Sequence, residues 1–598
     1  MCGIVGYFGF RNAAEVCADG LSRLEYRGYD SFGVAAVSPE KGLSVYKEAG
    51  KISVLRDNIR LDGTVGIGHT RWATHGVPCQ KNAHPLLDCH GKIAVVHNGI
   101  IENYAKLRRE LEKKGHIFAS DTDTEVIPHL IEDAYDGDLF AAVQKILPKL
   151  QGSYAILVVM EGVSGIIAAR KGSPLVIGLG ENEILFASDV LPISPYTKDV
   201  LYLEDGDVAF AHISSAGDHA VTVYQNKKPV KRELHTIEFD AEETKKGGFA
   251  HYMLKEIYEQ PDVFSNTIAS AAADRKLIVS SFSGAKSVVI TACGTSAHAS
   301  MILAYLLETV CRIPARTALA SEFKYTPTPS ADLVIGVSQS GETADTIAAL
   351  KAAKENGAHT LCVTNVLGSS ITRTADSTIY TRGGPEISVA ATKTFIAQAA
   401  AFLEIAAVLS ESLKSSLGIS SSSLQKSIRD VQRYLPEIIG TDVSDAVSLL
   451  QDTSSLIYVG RGLGYPAALE GALKMKEISY IHAEGYAAGE LKHGPFALLG
   501  ADVPVVAVCF ENSPTYAVMM SNLKEIKARE SPLVVIGSAG DADAEDLADV
   551  FVAIPKVSET ASAVLASTVM QLIAYRTAAA LGREIDYPKN LAKSVTVE

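Results

Sequence analysis

Basic runs are missing from this chain of 598 residues. Its 55 lysines and arginines are scattered against 69 acidic side chains, leaving a net charge of −14. Without a clustered cationic face there is nothing to neutralise a nucleic-acid backbone, so that class of partner is excluded, although a local pocket for a small anion is not. Cysteine is sparse as well: eight in this length are too few for a disulfide scaffold, and none forms a C-x-x-C pair. Cys79, His84, Cys89 and His90 are close in sequence, but their spacing matches no common zinc pattern. No metal and no cofactor is expected. The most apolar helical stretch, Ala561 to Leu581, contains Gln571, Tyr575 and Arg576 and reads as a buried core helix, not a membrane span. The opening MCGIVGYFGF has neither a basic n-region nor a small-residue cleavage site, so no signal peptide is expected. These absences point to a cytoplasmic protein with reduced thiols.

What is present is ordinary globular composition, 47% hydrophobic and 21% charged. The length suggests about four domains. Up to about residue 238 the chain has short apolar runs of strand length (Cys2–Phe8, Val65–Ile67, Ile93–Val96, Ala155–Met160) with helical patterns near Ala13–Leu24 and Asn103–Lys114. That reads as a layered α+β domain built around sheets. Residues 239–250 include FDAEETKKGG, a charged linker ending in Gly-Gly. Beyond it, β-branched runs alternate with helical patterns, and the pattern occurs twice. Ser287–Gly294 and Leu456–Gly462 each lead from a strand into a helix, and each is followed by two further strands. Two doubly wound α/β subdomains follow, at 251–420 and 421–585, with a tail at 586–598. The serine-rich tract Ser415–Ser423 reads as a surface crossing between them.

Cys2 follows the initiator methionine. If Met1 is removed, its thiol lies beside its own α-amine, whose pKa near 8 suits a general base. Arg71, Asp123 and the pair Asn98-Gly99 fall within the same domain. Glutamine hydrolysis needs a cation for the α-carboxylate, an anion for the α-ammonium and donors for the oxyanion, and these residues fit those roles in that order. Taken singly, Arg71 in a surface pair or Asn98-Gly99 as a type I′ turn would be unremarked. In the second half, Ser338-Gln339-Ser340-Gly341-Glu342-Thr343 follows a strand and opens a helix, an arrangement that cradles phosphate, with Ser296 in the corresponding first turn. Glu470, Lys474 and Glu477 are spaced to share one helix face, either as a surface salt-bridge row or as a site. Gly460-Arg-Gly-Leu-Gly464 lacks the third glycine and the acidic ribose partner of a dinucleotide fingerprint, so a nicotinamide cofactor is not expected.

The motifs MCGIVGY, LEYRGYDS, GHTRWATHG, VHNGIIEN and TDTEV resemble the N-terminal-nucleophile glutaminase domain of the class II amidotransferases, a layered αββα fold. ACGTS, SQSGETADT, LEGALKMKEISYIHAE, GELKHGP and PKNLAKSVTVE resemble paired sugar-isomerase (SIS) domains. The resemblance implies that L-glutamine, held by Arg71, Trp72, Thr74, His75 and Asp123, is hydrolysed at Cys2, with Trp72 gating a passage for ammonia. It also implies transfer of that ammonia to D-fructose 6-phosphate, giving D-glucosamine 6-phosphate for amino-sugar synthesis. Sugar-phosphate contacts would come from Ser296, Ser338, Gln339, Ser340 and Thr343. Glu470, Lys474 and Glu477 would act in the isomerase site, with Glu477 as the base. Lys593 would form a Schiff base, and His493 would be supplied to the neighbouring subunit of a homodimer. Phe32 and Asp121 depart from the usual pattern beside the motifs. The alternatives are another class II amidotransferase, which would need a P-loop or an acidic metal run that is not here, and a non-catalytic sugar-phosphate regulator. A regulator would have no use for Lys593 together with the Glu470–Lys474–Glu477 face.

Overall fold

The computed structural model describes residues 2–72, 76–214, 217–237, 243, 245–326, 332–412 and 421–595. Two compact units emerge, 1–244 with 592–598, and 245–591.

The first unit stacks an eight-stranded and a seven-stranded sheet, both antiparallel. Strand alternation explains the layering. Ile4 and Phe8 of Gly3–Phe8, and Val65 and Ile67 of Val65–Arg71, face Ala94 and Val96 of Ile93–Ile101 in a shared core. The alternate residues Ile93 and Val95 face outward beneath the helices Tyr104–Lys113, Val126–Ala134 and Leu139–Ile146. The other outer face takes the helix Ala13–Ser22, capped by the Asn12 side chain, which accepts from the N–H groups of Ala14 and Glu15. Gly68 lets that helix close in, since a Cβ there would lie 2.9 Å from Leu21. The result is the four-layer αββα arrangement anticipated from the motifs. The same alternation puts Cys2, His69, Arg71 and Asn98 on the inter-sheet side of their strands, in step with Ile4, Ile67 and Val96.

The second unit contains two five-stranded parallel sheets of identical topology. In the first the spatial order is Ala315–Leu319, Val288–Ala292, Leu333–Ser338, His359–Thr364, Ser377–Tyr380. In the second it is His482–Ala487, Ser455–Gly460, Val505–Cys509, Leu533–Ser538, Val550–Ile554. Both therefore reverse direction between their first and third strands in sequence, and ligands of such sheets bind at that switch point. Two long apolar helices, Lys393–Ser412 and Glu559–Ala580, have the length and hydropathy of a membrane span, yet almost every residue in them is buried in the core of this unit. The core-helix reading of Ala561–Leu581 holds. Of the serine-rich tract, Ser421–Ser423 begin the helix Ser421–Ile438, and the earlier part lies outside the described residues.

Candidate active sites

In the first unit the Cys2 thiol meets the strand end that carries Arg71 and Trp72. The Trp72 N–H donates to Cys2 Sγ at 3.2 Å, and the Asn98 Nδ2 donates to the Cys2 carbonyl at 3.0 Å. Asn98 and Gly99 are not a hairpin turn. They continue the strand Ile93–Ile101, opposite Ala155 and Tyr154. Gly99 has φ +133°, and a Cβ there would fall 2.1 Å from the Ser153 carbonyl, so that position accepts only glycine. Arg71 is buried rather than in a surface pair, and donates to the Gly76 carbonyl at 3.2 Å. Asp123 is buried and accepts the Ile101 N–H at 2.8 Å. Trp72 is half-buried, edge-on to Tyr29 at 5.7 Å between centroids. Thr74 and His75 lie outside the described residues.

The sequence reading missed His69. Its Nε2 lies 3.0 Å from the His97 carbonyl and 3.1 Å from Asn98 Oδ1. Both partners are acceptors, so Nε2 carries the proton. That donation fixes the Asn98 carbonyl towards His69 and hence its amide N–H group towards Cys2. Burial, with Arg71 and His97 adding repulsion, pulls His69 down to about 3, so the ring stays neutral. Burial also pushes the Cys2 thiol up, outweighing the Trp72 N–H and the Arg71 charge, so the sulfur needs a base to become a nucleophile. The two departures are peripheral. Phe32 is fully buried against Tyr46, and exposed Asp121 pairs with Lys81 at 2.7 Å.

In the second unit the first sheet's switch point is lined by the turns after Val288–Ala292 and Leu333–Ser338. Ser338 Oγ lies 2.9 Å from Thr343 Oγ1 and accepts the Gly341 N–H at 3.0 Å, and Ser340 Oγ accepts the Glu342 N–H at 3.2 Å. Gln339 shares this turn, and Ser296 receives a hydrogen bond from Gln398 at 2.9 Å. The two turns follow neighbouring parallel strands of the sheet.

Glu470, Lys474 and Glu477 do share one face of the helix Gly464–Ser479, but they are no surface row. Lys474 and Glu470 are fully buried. Lys474 Nζ lies 3.3 Å from Glu470 and 2.7 Å from Glu477. Burial would lower the Lys474 pKa, but the two carboxylates prevail and hold it above its ordinary value. Thr295 and His298, which the sequence reading also missed, join the two subdomains here. Thr295 Oγ1 donates to Glu470 at 3.0 Å and accepts from Lys474 at 3.0 Å, while His298 Nδ1 meets the other Glu470 oxygen at 2.9 Å. Glu470 is thus pinned on both oxygens and dry. Glu477, by contrast, keeps a partly exposed side chain, with exposure 20%.

The second sheet's switch point differs. The Leu463 N–H and the Ser513 hydroxyl both donate to Glu559 Oε1 at 3.1 Å, so the chain's own carboxylate occupies the place a ligand anion would take. His493 ends the 3-10 helix Ala488–His493 and is exposed. Lys593 is half-buried in the tail that groups with the first unit.

Residues 69–194 match the glutamine amidotransferase domain family, and 281–408 and 449–581 match the SIS domain. A glutamine–fructose-6-phosphate aminotransferase (isomerizing) of Thermus thermophilus is 43% identical over 610 residues, covering all of both chains. This chain belongs to the isomerising glutamine–fructose-6-phosphate aminotransferases. An aminotransferase of the same name from Thermococcus kodakarensis is 44% identical over 616 residues, again covering all of both chains. Among solved structures, the C-terminal domain of the Francisella tularensis glucosamine-fructose-6-phosphate aminotransferase matches all of its own length and 57% of this chain, at 36% identity and a TM-score of 0.52. Arg71, Asn98 and Asp123 lie within the amidotransferase-domain match of this aminotransferase, and Ser296, Ser338–Thr343 and Glu470–Glu477 lie within its SIS matches.

Proposed function

We propose that the chain converts L-glutamine and D-fructose 6-phosphate to L-glutamate and D-glucosamine 6-phosphate, as an aminotransferase of the EC 2.6.1.16 class. The observation that carries this reading is full-length similarity to relatives of that name, with a cysteine–asparagine cluster in one unit and a hydroxyl-lined switch point in the other. Cys2 Sγ attacks the glutamine side-chain carbonyl, its proton passing to the α-amine exposed when Met1 is removed. Asn98 and Gly99 face the oxyanion, ammonia leaves, and water releases glutamate. Arg71 and Asp123 hold the α-carboxylate and α-ammonium, with Trp72, Thr74 and His75 completing the glutamine pocket.

Ser296, Ser338, Gln339, Ser340 and Thr343 hold the sugar phosphate. Lys593 condenses with the open-chain ketone at C2 and ammonia displaces it. Glu477 then takes a proton from C1 and returns one to C2, leaving the C1 aldehyde and the C2 amine. His493 assists ring opening from the neighbouring subunit of a homodimer, a role its exposure within one chain permits. The setting is cytoplasmic, and the domains run 2–238, 251–420 and 421–585, with the linker 239–250 and the tail 586–598.

The test is to count glutamate and glucosamine 6-phosphate together, with and without fructose 6-phosphate. Wild type yields one of each per turnover, and Cys2→Ala yields neither from glutamine. Glutamate without any amino sugar in the presence of fructose 6-phosphate would overturn the assignment.

A further inference from the structure

Away from the glutaminase pocket, four side chains from three segments of the first unit turn their ligand atoms to one point. Cys89 sits on the tight turn between the strands Leu86–Leu87 and Ile93–Ile101. That turn is locked by Asp88, whose Oδ1 accepts the N–H groups of Lys92 at 2.7 Å and Ile93 at 2.8 Å. His116 follows the helix Tyr104–Lys113, and its N–H closes that helix onto the Leu111 carbonyl at 3.1 Å. His129 and Glu132 lie one turn apart on the helix Val126–Ala134.

The spacing between their ligand atoms is what matters. Cys89 Sγ lies 3.4 Å from His116 Nδ1 and 3.4 Å from His129 Nδ1. The two Nδ1 atoms are 3.3 Å apart, and Glu132 Oε2 is 3.1 Å from one and 3.4 Å from the other. A tetrahedral ion bound at about 2.0–2.1 Å to nitrogen and oxygen and about 2.3 Å to sulfur requires ligand–ligand edges of roughly 3.3–3.6 Å. The observed edges lie at or just below the short end of that range. Two imidazole nitrogens, a thiol sulfur and a carboxylate oxygen turned on one another can share at most a few protons. A single cation satisfies all four lone pairs.

The surroundings are also those of a built site. His129 is buried, side-chain exposure 1%, and presents its other nitrogen to Glu125 Oε1 at 3.6 Å. At that distance the carboxylate does not accept a hydrogen bond, but its charge favours a proton on Nε2 and leaves Nδ1 as the ligand atom. Glu125 in turn accepts the N–H groups of Ala119 and Ser120, each at 2.7 Å, and so holds the loop that leads through Asp123. The Cys89 N–H donates to Glu132 Oε2 at 3.2 Å, which orients the carboxylate.

We propose that Cys89, His116, His129 and Glu132 form a structural zinc site that staples the Leu86–Ile93 hairpin to the helices on either side of the Asp123 loop. A thiolate with two imidazoles and one carboxylate is a donor set for zinc rather than for magnesium or calcium. Four protein ligands leave no open position, so the ion braces the fold and does not enter the glutamine reaction. No linear pattern reveals the site, because its ligands are contributed by a turn, a loop and a helix. The proposal is independent of the reaction assigned above.

The full-length protein, purified without a histidine tag and dialysed, is expected to hold about one zinc per chain, with Cys89→Ser/His116→Ala holding less than about a tenth of that. Removing zinc with a chelator should lower the first unit's melting temperature, and adding zinc back should restore it. Cobalt in place of zinc should give tetrahedral visible bands and a near-ultraviolet thiolate charge-transfer band, and Cys89→Ser should lose the latter while keeping its fold, since Cys89 is exposed. The wild-type cobalt titration decides alone should the double variant fail to fold. Wild-type protein that takes up neither metal, or a double variant that retains zinc, overturns the site.

Discussion

Replacing Lys474 with methionine removes the cation between two carboxylates while nearly preserving side-chain volume, so packing is a minor part of the effect. Among the described residues Glu470 is then left fully buried with Thr295 and His298 as its partners, and Glu477 loses its contact at 2.7 Å. Removing one member of a buried ion pair costs about 3–5 kcal/mol, because the remaining charge is stranded in low dielectric. For a large domain, about 2–4 °C per kcal/mol makes this a fall of roughly 6–20 °C in the melting transition of the second unit. Calorimetry reads the shift directly. The control is Lys474→Met with Glu470→Gln: eliminating the stranded charge should recover at least half of the loss, a coupling that only contacting residues show. A single-variant shift under about 2 °C, the range of a neutral surface change, would refute the view that this triad is a dry, mutually dependent cluster.

Acid should weaken the first unit through His69. Its folded pKa of about 3 lies below its ordinary 6.5, so the unfolded chain binds the extra proton, and stability falls as pH drops through 6.5 towards 3. The slope reaches at most about 1.4 kcal/mol per pH unit, and His69→Gln should flatten a melting-temperature series across that window. The same variant should lower glutaminase kcat more than it raises KM for glutamine if His69 acts by aiming the Asn98 amide; an unchanged kcat would show that Asn98 does not need it. Trp72→Ala should still release glutamate but yield less than one amino sugar per glutamate, and an unchanged product ratio removes the gating role. Borohydride with fructose 6-phosphate should label Lys593, and a peptide map showing the label elsewhere would displace it as the Schiff-base amine.

The strands of both units were readable from short apolar runs, and the duplicated α/β pattern from its repeated strand–turn–helix order, because both signals are local. Cys2, Arg71, Asn98 and Asp123 stood out by residue type and order along the chain. What escaped was support across elements. His69 matters through Asn98, Thr295 and His298 matter through Glu470, and in each case the partner lies on another strand or another subdomain. His69 did carry one signal: it shares strand parity with Arg71, which places both on the inter-sheet face. The Glu470–Lys474–Glu477 spacing could not distinguish a solvated row from a buried one, since helix periodicity reports which face residues share but not what covers it.

The two parallel sheets share one strand order, yet Glu559 lies across the switch point of the second, receiving the Leu463 N–H and the Ser513 hydroxyl. Duplication alone would offer two equivalent berths for an anionic ligand in every chain. A resident carboxylate closes one of them permanently, as a plug that cannot diffuse away and whose occupancy does not depend on concentration. Saturation with sugar phosphate should therefore stop at one equivalent per chain, and the closed half is free to serve as an anvil, lending a rigid helix and its charges to the half that remains open.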